Sequence, residues 1–256
     1  MRRHESNRLR TVVLLAALPV LGLISCSNVR SSTTGCSDDV REWILPHVDN
    51  PPALSLDVDA WRNIGAKRIY IASECTTGRA DPFPVEVFGL WTNDTVRFLF
   101  LIPYKDLHLW PISPATGNDR DRLWERDVVE LFLGDVADDM HRYREFEVAP
   151  TGERLDLDID LSRQLHDTFW NSRWITAAKI DEASHRWYAA VQIPLSDVTV
   201  RPVRAGTRLR ANFYLIDGPP PDSQRRFLCW RPTCSPGQDP NHVPERFGTV
   251  VFGAAK

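Results

Sequence analysis

The sequence predicts an all-β fold, an antiparallel β-sandwich of two stacked sheets, on three observations. From residue 40 onward, short runs rich in branched and aromatic residues are punctuated by Pro, Gly, Asn and Asp at near-regular spacing. Some runs alternate apolar and polar side chains with the period of two that a half-buried strand shows. No window longer than a turn or two holds a 3.6-residue apolar period, so long helices are excluded.

The strands follow in order. Lys67–Glu74 (KRIYIASE), Val85–Trp91 and Val96–Ile102 (VRFLFLI) come first, the last two joined by a Thr-Asn-Asp hairpin turn. Asp127–Leu133 (DVVELFL) is apolar on both faces, as a central strand is: Val129, Leu131 and Leu133 on one, Val128 and Phe132 on the other. Glu130 falls between Val128 and Phe132, against that pattern. A carboxylate there is costly unless paired, which marks it as a candidate site residue. Tyr143–Val148 (YREFEV) and Arg154–Leu161 (RLDLDIDL) are joined by Pro150-Thr151-Gly152. In the second, Leu155, Leu157, Ile159 and Leu161 share the core face. Asp156, Asp158 and Asp160 share the other, which predicts a solvated acidic stripe. Ile175–Ile180, Trp187–Ile193, Arg208–Ile216, Phe227–Trp230 and Thr249–Phe252 complete the set. No internal repeat or linker interrupts residues 40–253, which are read as one domain.

The N-terminus is read apart from the fold. Arg2, Arg3, Arg8 and Arg10 precede an apolar run, Thr11–Ile24, that is shorter than the roughly 20 residues a bilayer span needs. It has the form of a signal peptide over residues 1–25. Leu23-Ile24-Ser25-Cys26 resembles a bacterial lipobox, with Cys26 the residue lipidated after cleavage and residues 26–39 a polar tether. The expectation is a cell-envelope lipoprotein touching a membrane only through that anchor, or otherwise a secreted or periplasmic protein. The whole chain of 256 residues carries a formal charge of −3. Such a balance lacks the basic excess of a nucleic-acid-binding surface. In an oxidising compartment Cys36, Cys75, Cys229 and Cys234 form an even set with three possible pairings. Cys229–Cys234 would close a short loop and leave Cys36 to meet Cys75; four free thiols are the alternative. No cysteine or histidine spacing suits zinc.

Trp124-Glu125-Arg126-Asp127-Val128-Val129-Glu130-Leu131-Phe132-Leu133 resembles the W-x-x-D-x-x-E-x-F-L core of the family 9 carbohydrate-binding modules and their DOMON-like relatives. Further pieces follow in the family's order: Glu145–Gly152, Trp187–Pro194, Arg210–Tyr214 and His242–Gly248. The resemblance implies a two-sheet, immunoglobulin-like sandwich that binds oligo- or polysaccharide without catalysis, in the service of carbohydrate catabolism. A sugar ring offers an apolar C–H face and a rim of hydroxyls, which suit aromatic planes and charge-assisted hydrogen bonds.

Carried over residue by residue, the resemblance makes Trp124 one aromatic wall and Glu130 a sugar-contacting carboxylate. Trp230 becomes the second wall, with Trp110, Trp170 and Trp174 as rivals and Trp187 as core. Glu130 has an alternative as a structural ion pair with Arg210 or Arg246. Asp127, at a strand start, reads as a turn-fixing residue. The strand where the family places a sugar-contacting arginine carries Glu145 and Glu147, so Asn212 and Arg246 are the candidate replacements. No cofactor is required; the founding members imply a structural calcium, for which Asp156, Asp158 and Asp160, or Asp135, Asp138 and Asp139, are the weak candidates. Two other classes stay open. Family modules accompany O-glycosyl hydrolases, and Glu130 with Glu145 or Glu147 would supply the two carboxylates such chemistry needs. A haem-binding redox domain would need axial ligands, for which Met140 and His141 are available.

Overall fold

Eleven of the thirteen β-strands are built on the predicted runs in the computed structural model, which describes residues 36, 41–111, 119–235 and 239–255. The expected signal segment, Cys26 and the tether other than Cys36 lie outside the described residues. The strands are β1 (Glu42–Leu45), β2 (Lys67–Glu74), β3 (Ala80–Trp91), β4 (Thr95–Pro103), β5 (Val128–Asp135), β6 (Arg142–Val148) and β7 (Arg154–Asp160). They continue with β8 (Leu165–Asp167), β9 (Ile175–Asp181), β10 (Arg186–Pro194), β11 (Arg208–Asp217), β12 (Arg226–Cys229) and β13 (Gly248–Phe252). One short helix, α1 (Val58–Asn63), is capped by the Asp57 side chain on Asp59 N–H at 3.0 Å. It brings Trp61 onto the outer face of β3 and β4. The sequence reading lacked α1, β1 and β8, each too short to show a period.

The hydrogen-bonded order runs β8-β7-β6-β5-β11-β12-β2-β3-β4-β10-β9, with β13 pairing the first half of β11 and β1 pairing β13 in parallel. The order folds over on itself. Val129, Leu131, Leu133, Phe146 and Phe213 of one half meet Val85, Val87, Phe98, Phe100, Trp187 and Val191 of the other in a single core. At roughly 25 cal/mol per Å² of apolar surface removed from water, this core dominates the stability.

A second apolar cluster covers the reverse side of the half built from β5, β6, β7 and β11. It contains Leu123, Val128, Phe132, Tyr143, Leu155, Leu157, Ile159, Tyr214 and Ile216. Here the structure corrects an expectation: the aspartates of β7 are not a solvated stripe. Asp156 is buried and accepts from Ser172 N–H at 2.5 Å and Trp174 Nε1–H at 3.2 Å. Asp158 is paired with Arg144, and Asp160 accepts from Arg163 N–H at 3.2 Å. Loop 168–174 covers what would have been a free face. The cysteine pairing also differs. Cys36 bonds Cys234 across 198 residues of sequence, while Cys75 and Cys229 are buried free thiols. The short Cys229–Cys234 loop fails because Cys229 sits in β12 facing the second cluster, whereas Cys234 lies in the loop beyond it.

Candidate functional site

The site lies over that second cluster, on the outer face of a sheet rather than at the rim between two. Its first member is placed by a single turn. Leu123 is fully buried, and Trp124, next in the 3-10 turn Leu123–Glu125, is half-buried against the same cluster with a side open to the cleft. Arg225 fixes the turn from the other side, its guanidinium donating to the Trp124 carbonyl at 2.8 Å and the Arg126 carbonyl at 2.7 Å. Asp127 acts as its position predicts. It accepts from His108 N–H at 2.8 Å and Gly218 N–H at 2.9 Å and so ties the start of β5 to two loops.

Beside Trp124 the register gathers three carboxylates. Glu130 on β5 stands directly opposite Glu147 on β6, and Glu145 is two residues further along the same face. All three are buried, and one oxygen from each lies within 4.8 Å of the others. On the other flank Glu130 faces Tyr214 of β11. The Tyr214 hydroxyl donates to the Asn241 carbonyl at 2.8 Å and so holds the 239–246 loop over the sheet. Asn241 then donates its side-chain amide to Glu130 Oε2 at 3.0 Å. His242, next along, has Nδ1 2.5 Å from the Tyr143 hydroxyl and Nε2 3.6 Å from Glu145 Oε2.

Trp124, Glu130, Glu145, Asn241 and His242 line an open cleft of about 730 Å³, whose walls also include Leu157, His166, Thr168, Ile216 and Phe227, with Glu147 buried behind it. Hollows of similar volume around Arg201 hold no aromatic side chain. Burial pushes Glu130 up to about 8, and the charge of Asp239 adds to the push, against the hydrogen bond from Asn241. Burial, with the mutual repulsion of the cluster, raises Glu145 and Glu147 well above the carboxylate range. Burial pulls His242 down to about 4, so its imidazole is neutral at pH 7.

The other expected residues fall elsewhere. Trp230 is no wall of the cleft. It is 4% exposed in the main core, its ring edge against Gly248, where an added Cβ would come within 2.5 Å of the indole. Asn212 is wholly buried and structural, donating to the Tyr214 hydroxyl and the Arg231 carbonyl and accepting from Arg231 N–H. Arg246, half-buried in the 3-10 turn Pro244–Arg246, does not line the cleft. Arg210 donates to the carbonyls of Val136, Asp138 and Asp139, away from Glu130. Trp187 and Trp174 are core; Trp110 and Trp170 lie under Arg126 and Arg144.

Neither acidic run fits the implied calcium. Asp135 is taken by Arg201 and Thr199, and Asp156 and Asp158 by the donors given above. Met140 is exposed, and the ring of His141 lies between Asp139 and Glu245, so neither faces the cleft. Sequence reasoning missed Arg225, Phe227, Asn241 and His242 as site residues. The Asn-His pair in a proline-rich loop was the only signal available for the last two.

No family model matches the chain, and no curated protein matches it. Solved structures do. A protein from Bacteroides uniformis to which carbohydrate binding has been ascribed aligns with a TM-score of 0.67 at 17% identity, over 84% of this chain and 100% of its own. A family 9 carbohydrate-binding module from Caldicellulosiruptor kristjanssonii, solved with cellotriose, aligns with a TM-score of 0.57 at 12% identity, over 84% and 95%. The same organism's module solved with glucose gives 0.58 at 12%, over 84% and 97%. The fold is that of the family 9 carbohydrate-binding modules. Within this family-9 fold, the Trp124–Glu130 pair of the resemblance shares one cleft, while Trp230 does not join it.

Proposed function

We propose that the chain binds carbohydrate, without catalysis, in the cleft bounded by Trp124 and the Glu130 cluster. One observation carries the reading: a half-buried indole and a buried carboxylate share an open groove on a fold whose solved members hold cellotriose and glucose. Trp124 stacks on the C–H face of a ring, and Glu130, Asn241 and His242 meet its hydroxyls. Phe169, 95% exposed and adjacent to the wall residue Thr168, serves as the second aromatic plate. Isothermal titration with gluco-, cello- and xylo-oligosaccharides tests this. Wild type gives a saturable heat that Trp124→Ala abolishes and Phe169→Ala weakens several-fold; no heat with any sugar overturns the proposal.

Glycoside hydrolysis is the rival. A hydrolase sets two carboxyl groups on either side of the scissile bond, one ionised to attack or to activate water. The three glutamates converge on one point instead, and burial disfavours ionisation of each. Release of reducing ends, lost in Glu130→Gln, would reverse this choice. The proposed setting is the cell envelope, with the chain anchored through Cys26 and the captured glycan passed to breakdown. Palmitate labelling lost in Cys26→Ala is the expected result, and an unlabelled wild type would overturn the anchor.

A further inference from the structure

Glu147 is 0% exposed, and among the described residues neither of its oxygens has a hydrogen-bond partner. Glu145 Oε2 is also unpartnered, and Glu130 is held only by the Asn241 amide. Two ionised carboxylates cannot hydrogen-bond each other, since both only accept. Three of them buried together either take up protons or need a cation to stay ionised. Among the described residues, the ion pair to any of the three comes from a histidine, His242, and not from an arginine or lysine. The cation nearest in its electrostatic effect, Arg225, spends its guanidinium on the Trp124 and Arg126 carbonyls. The imidazole of His242, toward Glu145 at 3.6 Å, is the one base in ion-pair range among the described residues.

A second observation comes from outside the acidic cluster. Asn241 is buried, and its Oδ1 is a partnerless acceptor on the same carboxamide that reaches Glu130. A buried amide oxygen left unbonded costs about 1–3 kcal/mol. Carboxylates plus a neutral carbonyl oxygen are the donor set of a hard divalent cation. The geometry agrees. Donors about 2.3–2.6 Å from a calcium ion lie no more than about 5 Å apart, and the three glutamate oxygens lie within 4.8 Å of one another.

We propose that Glu130, Glu145 and Glu147, completed by Asn241 Oδ1, bind one divalent cation of the calcium or manganese class at the floor of the cleft. The carboxylates come from two adjacent strands, so they occupy one side of the ion. Its remaining positions face the groove, where water or a pair of sugar hydroxyls completes the shell. The ion then supplies the positive charge that no arginine supplies here. The ion site stands on the protein's own donors; its part in sugar capture rests on the function proposed above.

The test uses the purified protein stripped with EDTA and titrated with calcium chloride and, separately, manganese chloride. Calorimetry and thermal unfolding are the readouts. One ion per chain and a rise in the unfolding temperature are expected. Glu147→Gln, which keeps the side chain's shape and removes its charge, weakens binding at least tenfold, while Asp49→Asn on the exposed surface leaves it unchanged. Should Glu147→Gln fail to fold, Asn241→Ala serves as the second variant, with several-fold weaker binding expected. No saturable binding of either metal, or binding unchanged in Glu147→Gln, overturns the site and leaves protons as the neutralising charge. Repeating the sugar titration with and without the metal separates the two proposals. Metal binding with no sugar heat overturns sugar capture alone, and sugar heat indifferent to EDTA overturns the ion's role.

Discussion

Two faces of the same three strands put burial to opposite uses. Toward the other half of the sandwich, β5, β6 and β11 present Val129, Leu131, Leu133, Phe146, Val148, Phe213 and Leu215, all apolar and almost wholly out of water. One residue along on each strand, the reverse face presents Glu130, Glu145, Glu147, Asn212 and Tyr214, buried nearly as deeply. The first face is complete in itself. The second divides: Asn212 and Tyr214 find partners for their polar atoms, while Glu145 Oε2 and both oxygens of Glu147 lack a hydrogen-bond donor. Depth of burial therefore does not separate core from site. Satisfaction of polar groups does.

The largest expected effect probes the apolar side. Trp230 packs against Trp43 at 6.3 Å and Phe213 at 5.7 Å between ring centroids. Trp230→Ala should lower stability by about 3–5 kcal/mol, the usual cost of emptying a large aromatic site, seen as a shift of the urea midpoint. Sugar binding per folded molecule should persist. Trp124→Ala should invert that profile, costing about 1 kcal/mol because its ring is only half-buried, yet removing the sugar heat. If both substitutions cost the same stability, the contrast between the two faces is wrong.

The next effect has the opposite sign. In EDTA at pH 8, Glu147→Gln should raise the unfolding free energy by about 1–2 kcal/mol, since the wild-type carboxyl must take up a proton on folding and the amide need not. A loss of stability would mean that Glu147 is satisfied like Asn212, and the cluster would be ordinary core.

These comparisons show how much could be read from the sequence. Strand positions were legible because period-two patterning is local, and Glu130 stood out because a carboxylate broke an apolar run. Glu145 and Glu147 were visible as glutamates where the resembling family has an arginine, and as carboxylates able to pair with Glu130. That they meet Glu130 depends on the β5–β6 register, which pairs Glu130 with Glu147 and which no local pattern encodes. Trp230 misled because its neighbourhood looked loop-like, whereas Gly248 opens a slot for its indole in the core. Arg225, Asn241 and His242 reach the cleft through loops whose course is set by long-range bonds, such as Tyr214 to Asn241. The Cys36–Cys234 pairing spans 198 residues, beyond any argument from spacing.

The smallest effect lies at the edge of the site and turns on Asp127, which has what the glutamates lack. Both of its oxygens accept backbone N–H groups, and it is 1% exposed. Burial nevertheless raises it to about 6, outweighing those two bonds. A carboxyl whose folded pKa is raised binds its proton more tightly in the folded than in the unfolded chain. Its contribution is therefore complete below about pH 4 and is lost as pH climbs to about 6. Asp127→Asn keeps one acceptor, loses the other and cannot titrate. It should cost about 1 kcal/mol at pH 7 for the lost bond, and more at pH 4, with the change confined to the interval between. Urea midpoints of wild type and variant at pH 4, 5, 6 and 7 read this directly. A cost that instead grows with pH would mean that two backbone donors suffice to hold a buried carboxylate ionised. Satisfaction would then outweigh burial even at this depth, and the partnerless state of Glu147 would stand out more sharply.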